Sequence, residues 1–179
     1  MGTDPIRALL IEDDPDDVLL LKTSLAKAKV DQIKLGHADR LSSGLIQLAE
    51  QDYDVILLDL NLPDSRGLET LTTIIERFPK MPVVVLSGLA DDATTIAAVR
   101  RGAQDYLVKG EISGLMLTRV LRYAIERQQA EETLRAERDF SAQVMDSMGQ
   151  GLTVTNTEGY FEYVNPAYAR MIGRTPEEL

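Results

Sequence analysis

The chain has 179 residues, 44% of them apolar, and its 29 acidic against 19 basic side chains give a net charge of −10 and a pI of about 4.6. That is enough apolar content for a buried core, while the acidity speaks against phosphate-backbone binding, so no nucleic-acid partner is expected. With no Cys and a single His, His37, disulfides, thiolate catalysis and multi-histidine or Cys-ligated zinc are excluded, which leaves carboxylates, hydroxyls and Lys to carry any chemistry.

From Pro5 onward, short apolar runs alternate with amphipathic segments. Ile6–Ile11 reads as a strand, and Asp14-Pro15 then supplies an N-cap and a proline at the first helical position, ahead of Val18, Leu19, Leu21, Leu25 and Ala28. After a second run, Ile33–Leu35, comes a helix carrying Leu41, Leu45, Leu48 and Ala49 at three- and four-residue spacing. Val55–Leu58 is the third strand, and Leu68, Leu71, Ile74, Ile75 and Phe78 mark a third helix closed by Pro79. Val83–Leu86 follows, then a helix capped by Asp91, carrying Ile96, Ala97 and Val99 and ended by Gly102, then Tyr106–Val108. Runs this short and this rich in Val, Ile and Leu suit strands buried on both faces. Five β-α units predict an α/β domain with a doubly wound, five-stranded parallel sheet over residues 5–126, whose strand C-termini line one edge. No apolar run reaches the roughly 18 residues of a membrane span and no signal pattern opens the chain, so a cytoplasmic protein without a membrane partner is expected.

The fifth helix runs on. From Ser113 to about Met148 there is no Pro, and Gly114 is the sole Gly. A helix of some 30 residues is predicted, its part 127–148 acting as a linker. Val120, Tyr123, Ala130, Leu134 and Val144 recur near heptad spacing, which predicts an imperfect coiled-coil seam and a homodimer through this extension; the plainer alternative is a solvated linker helix. Beyond Gly149-Gln150-Gly151 the pattern changes to a β-hairpin, Leu152 to Thr155 and Tyr160 to Val164 around a turn at Asn156 to Gly159. Asn165-Pro166 then opens a short helix with Ala167, Tyr168, Met171 and Ile172. Some 30 residues are too few for an independent core, so 149–179 reads as the start of a truncated second domain.

The strand ends carry a polar set. Glu12 and Asp13 follow the first strand, Asp59 the third, Ser87 the fourth and Lys109 the fifth. Taken singly, each is ordinary: an Asp after a strand caps a helix or forms a turn, and Ser87-Gly88 and Lys109-Gly110 are common loop text. Taken together they converge at one rim. Crowded carboxylates stay ionised most readily around a hard divalent cation, and Mg²⁺ suits a partial cage of carboxylates, a backbone carbonyl and waters. Lys109 and Ser87 add a cation and a hydroxyl donor for phosphate oxygens, and Asp59 is left to attack phosphorus as a nucleophile.

Ala-Leu-Leu-Ile-Glu-Asp-Asp at 8–14, Val-Ile-Leu-Leu-Asp-Leu-Asn-Leu-Pro-Asp at 55–64, Val-Val-Val-Leu-Ser-Gly at 83–88 and Asp-Tyr-Leu-Val-Lys at 105–109 resemble a response-regulator receiver domain of two-component signalling. The resemblance implies a flavodoxin-like sheet of order 2-1-3-4-5 and a phosphorelay in which Asp59 accepts a phosphoryl group from a histidine kinase or phosphotransfer protein. It implies that Asp13 holds Mg²⁺ directly and Glu12 through water, with Asp59 and the Asn61 backbone carbonyl completing the metal site. Ser87 and Lys109 would bind phosphoryl oxygens, and Tyr106 would turn inward as Ser87 moves. One departure stands out: the family usually has Pro after the lysine, where this chain has Gly110, so a more mobile loop is expected there.

Residues 151–154, 158–167 and 173–179 resemble, more weakly, the start of a PAS sensory domain, in which Tyr160, Tyr163 and Tyr168 are expected in core or interface roles rather than as cofactor contacts. The expected function is therefore a non-enzymatic phosphoacceptor switch coupled through the fifth helix to a PAS-containing output. The output beyond Leu179 is open between a histidine kinase, a cyclic-dinucleotide enzyme and a transcriptional domain. Two other classes compete: a receiver-like dimerisation module that is never phosphorylated, and a Mg²⁺-dependent Asp-nucleophile phosphatase. The phosphatase needs a second acid two residues after the nucleophile, where this chain has Asn61.

Overall fold

The computed structural model describes residues 5–27, 33–88 and 92–175. The expected helix residue Ala28, the expected cap Asp91 and the last four residues, Pro176 to Leu179, lie outside them. The chain divides into two units, Met1–Ala130 and Glu131–Leu179.

The first unit is an α/β sandwich built on five parallel strands: β1 (Ile6–Ile11), β2 (Ile33–Ala38), β3 (Val55–Asp59), β4 (Val83–Ser87) and β5 (Asp105–Val108). Their spatial order is β2-β1-β3-β4-β5, with β1 paired to both β2 and β3, β3 to β4 and β4 to β5. Between them run α1 (Pro15–Lys27), α2 (Leu41–Glu50), α3 (Leu68–Arg77) and α4 (Asp92–Arg100), and α5 (Gly114–Ser147) follows β5. The alternation of side chains along a strand explains why the apolar runs are continuous. Leu9, Ile11, Ile56, Leu58, Val83 and Val85 pack under α2 and α3, while Ala8, Leu10, Leu57, Val84, Leu86 and Leu107 pack under α1 and α5. Both faces are covered over the central strands β1, β3 and β4, whereas the edge strands β2 and β5 are partly exposed.

Several helical positions differ from the periodicity reading. In α1 the buried residues are Val18, Leu21 and Leu25, whereas Leu19 is exposed, one step round the helix. In α4 it is Ala98 that is fully buried, and Ile96 and Val99 face solvent. A nine-residue helix samples too few turns for period alone to fix its buried face. In the first turns of α5, Leu117, Val120, Leu121 and Ala124 are buried with α1 against the sheet, so Val120 belongs to the core and not to a free seam. Tyr123, Leu134 and Val144 are exposed, as a seam requires.

The caps explain where helices start. Asp14 Oδ1 accepts the Asp16 N–H at 2.9 Å, with Pro15 at the first helical position. α2 has no such cap of its own, for Arg40 stands at that position. Instead Asp64 reaches across from the β3–α3 connection, its two carboxylate oxygens each accepting at 2.9 Å from the N–H groups of Leu41 and Ser42. Burial alone would raise the Asp64 carboxyl; these hydrogen bonds outweigh it and hold its pKa below the ordinary value. That connection also contains a two-residue antiparallel ladder, Asn61–Leu62 with Ser65–Arg66, which the strand reading did not anticipate.

In the second unit, β6 (Thr153–Thr155) pairs antiparallel with β7 (Phe161–Val164), and α6 (Pro166–Met171) follows. Asn165 is fully buried at their junction. Its carbonyl oxygen accepts from the N–H groups of Leu152 at 2.8 Å and Tyr168 at 2.9 Å, and its amide donates to the carbonyls of Gln150 at 2.9 Å and Met145 at 3.1 Å. The Tyr163 hydroxyl donates to Asp146 Oδ1 at 2.7 Å, the Phe161 and Tyr168 rings lie 6.0 Å apart, and Tyr160 faces solvent. Among the described residues no helix is long and apolar enough to cross a membrane.

Candidate functional site at the sheet edge

The rim forms because β1, β3, β4 and β5 end together. In register, Ile11 lies beside Leu58, Asp59 beside Leu86 and Ser87 beside Val108, so the residues that leave these strands emerge at one level. Ligand chemistry in open α/β sheets is placed at this edge because the loops there are free of the ladder.

Carboxylate oxygens of Glu12, Asp13 and Asp59 all lie within 4.8 Å of one another. Glu12 and Asp59 are buried, and Asp13 is exposed. Asp59 Oδ1 accepts the Asn61 N–H at 2.9 Å, which fixes its carboxyl plane, while Oδ2 accepts from the Lys109 ammonium at 2.5 Å. The same ammonium stands 2.7 Å from Glu12 Oε2 and 2.9 Å from Asp17 Oδ2. Glu12 Oε2 is buried, and the Lys109 ammonium is its charge partner. Burial pushes the Glu12 carboxyl up to about 7; Asp59 adds to the rise and Lys109 opposes it. For Lys109, burial favours the neutral amine, but Asp59, Glu12 and Asp17 outweigh it and its pKa is raised. The lysine is a fixed cation.

Ser87 sits at the end of β4, half-buried, and its carbonyl accepts the Lys109 backbone N–H at 2.8 Å, which ties the ends of the fourth and fifth strands together. Tyr106 is 43% exposed and lies two residues before the strand end, outside the cluster. Gly110 takes φ +89°, in the left-handed region open to glycine, and turns the chain directly after the lysine. His37, the single histidine, donates from Nε2 to the Glu12 carbonyl at 2.9 Å and so steadies the backbone that presents the acidic pair.

The sequence reading named Glu12, Asp13, Asp59, Ser87 and Lys109 from their strand ends, and the structure gathers the three acids and the lysine. It missed Asp17, which arrives from the first turn of α1, and Asp64, whose cap fixes the connection after Asp59. A signal for Asp64 existed: α2 begins with Arg40-Leu41-Ser42, a start with no acceptor at the cap position and no acid in its first turn.

Three carboxylates whose oxygens converge within 4.8 Å are hard donors that fit Mg²⁺ and suit neither a soft metal nor an anion.

Similarity to known proteins agrees with this edge. The KDP operon transcriptional regulatory protein KdpE of Escherichia coli is 35% identical over 122 residues, covering 68% of this chain and 52% of that protein. The response regulator protein PilR of Pseudomonas aeruginosa is 33% identical over 103 residues, 58% of this chain and 22% of that one. The chain spans about half or less of the length of these relatives. Among solved structures, the receiver domain of NtrX from Brucella abortus superposes with a TM-score of 0.58 at 27% identity, over 66% of this chain and 98% of that one. A receiver domain protein from Clostridium thermocellum gives 0.59 at 25% identity, over 70% and 98%. Residues 8–121 match the response regulator receiver domain, a span that runs from within β1 into α5. Every rim residue falls inside it, and the chain belongs to the response regulator receiver domain family.

Proposed function

We propose that this domain is a phosphoacceptor switch in which Asp59 takes a phosphoryl group from a histidine kinase or phosphotransfer protein. The observation that carries the reading is the Lys109 ammonium held on both Asp59 and Glu12, the two buried members of a three-carboxylate rim. The free electron pair of an Asp59 carboxylate oxygen forms the new O–P bond as the P–N bond of a phosphohistidine breaks, and the departing imidazole nitrogen keeps that bond's electron pair. The Asn61 N–H on Oδ1 orients the carboxylate, and Lys109 faces the oxygen charge that builds on the phosphoryl group. Ser87 is the hydroxyl donor to a second phosphoryl oxygen.

Asp13 would hold Mg²⁺ directly and Glu12 through water, with Asp59 and the Asn61 carbonyl as the remaining protein ligands. The bound ion supplies charge neutralisation at the phosphoryl oxygens. As Ser87 moves toward the phosphoryl group, Tyr106, now outside, turns inward and alters the surface of α4, β5 and α5.

From there the change passes along α5 to an output that begins with a PAS-like segment, residues 149–179, after a linker at 127–148. Supporting this are the unbroken helix Gly114–Ser147 and the hairpin-then-helix order beyond it. Exposed Tyr123, Leu134 and Val144 support pairing of two such helices in a homodimer, and phosphorylation would shift that pairing by about 1–3 kcal/mol, the usual size of coupling between sites. The domain is regulatory rather than enzymatic, and it works in the cytoplasm.

The test is incubation with Mg²⁺ and acetyl phosphate followed by intact mass. A single lasting phosphate, absent from Asp59→Asn, supports the switch. Turnover without accumulation supports a phosphatase, and no reaction supports a dimerisation module. Stoichiometric phosphate on Asp59→Asn would remove Asp59 from its role.

A further inference from the structure

Three carboxylates surround Lys109, and the phosphoacceptor reading uses two of them. Asp17 is the third. It comes from the first turn of α1, with its Oδ2 2.9 Å from Nζ, and no metal, nucleophile or hydroxyl role falls to it. An ammonium has three N–H donors, and the three oxygens at 2.5, 2.7 and 2.9 Å occupy the space around it. A phosphoryl oxygen arriving on Asp59 needs a place at the same ammonium, so one present partner must withdraw. Asp59 is the acceptor itself, and the Glu12 side chain is 1% exposed; that of Asp17 is 31% exposed, so water can take its place.

Two features of the surroundings agree. Beside the pair lies a crevice of about 20 Å³, room for about one water, with Asp17, Ser24 and Lys109 on its polar side and leucines and Ile112 on its apolar side. Gly110, at φ +89°, has open space where a Cβ would stand.

We propose that Asp17 is a positioning residue that restrains Lys109, competing with the phosphoryl oxygen for the ammonium and so limiting how readily Asp59 takes up its phosphoryl group. Its own negative charge at the rim acts in the same direction, because it repels an anionic phosphoryl donor. The inference rests on the phosphoacceptor reading of Asp59.

The experiment is a time course of phosphate uptake from acetyl phosphate in Mg²⁺, read by intact mass at low and high salt, for the 179-residue chain and three variants. Asp17→Asn removes the charge and keeps the shape. Asp16→Asn removes an equal charge one residue earlier, from an exposed side chain. Asp17→Glu keeps a carboxylate within reach. Asp17→Asn should gain about two- to fivefold in rate, the range expected from a partly exposed ion pair, and the gain should shrink at high salt. Asp16→Asn should gain clearly less, and Asp17→Glu should return toward the parent rate. A rate for Asp17→Asn no higher than that of Asp16→Asn, or lower than that of the parent, overturns the proposal while the parent's own uptake leaves the reading of Asp59 standing. A parent chain that takes up no phosphate overturns both together.

Discussion

Asp64→Ala tests whether a side chain in the connection after Asp59 holds α2 in place. The substitution removes two acceptors, each 2.9 Å from a backbone donor, and leaves the N–H groups of Leu41 and Ser42 without a protein partner. Deleting an N-cap acceptor costs about 0.5–2 kcal/mol. Asp64 is exposed, so water can satisfy both donors, which places the loss near the middle of that range, about 1 kcal/mol. For a unit of this size that lowers the melting temperature by about 3–6 °C. Circular dichroism melts give the global effect, and hydrogen exchange at the Leu41 and Ser42 amides gives the local one, which should rise before that of β1 or β3. The pH dependence has a definite sign. The folded carboxyl lies below its ordinary 3.8, so its stabilisation is complete above that value and is lost as pH falls through the folded one. The gap between parent and Asp64→Ala should then be constant at neutral pH and close only in acid. Unchanged melting with unchanged exchange at Leu41 and Ser42 would refute the capping argument.

Calorimetric titration of Mg²⁺ should show a larger loss for Asp13→Ala than for Glu12→Ala, since a direct ligand contributes more than a water-bridged one; equal losses or the reverse order would put the acidic pair out of register by one residue. Leu134→Lys, at an exposed position of α5, should weaken dimers seen by light scattering and leave phosphate uptake at Asp59 unchanged. A monomer at every concentration, with and without a phosphate mimic, would make α5 a passive linker.

Much of the fold was legible because both faces of the sheet are covered: strands such as Val55–Asp59, buried along their whole length, need unbroken apolar text, and polar residues can enter only where a strand ends. Glu12, Asp59, Ser87 and Lys109 stand out for that reason. The helices were less legible. Leu19, Ile96 and Val99 are apolar residues on solvent faces, and composition does not tell them from core neighbours one step away. Val120 fits a seam and a core equally well by spacing, and only the packing of α5 on the sheet decides. Asp17 and Asp64 act across long stretches of chain on Lys109 and on α2. Locally each is one more acid in a turn, so nothing in its neighbourhood announces its partner.

Asn165 has a practical consequence for domain grafting. The Gly149-Gln150-Gly151 text looks like a convenient place to cut and rejoin, yet the buried amide of Asn165 donates to the Met145 carbonyl on one side of it and the Gln150 carbonyl within it. A chimera joined at that glycine pair would inherit the amide without its helical acceptor, unless the new helix happened to end with a carbonyl in the same place. The transplantable piece therefore begins upstream of Met145 and carries the last turn of α5 with it, including Asp146, which receives the Tyr163 hydroxyl. Fusions that respect this joint should keep the hairpin in register with the helix that leads to it, and those cut at the glycines should show the hairpin exchanging its amides freely.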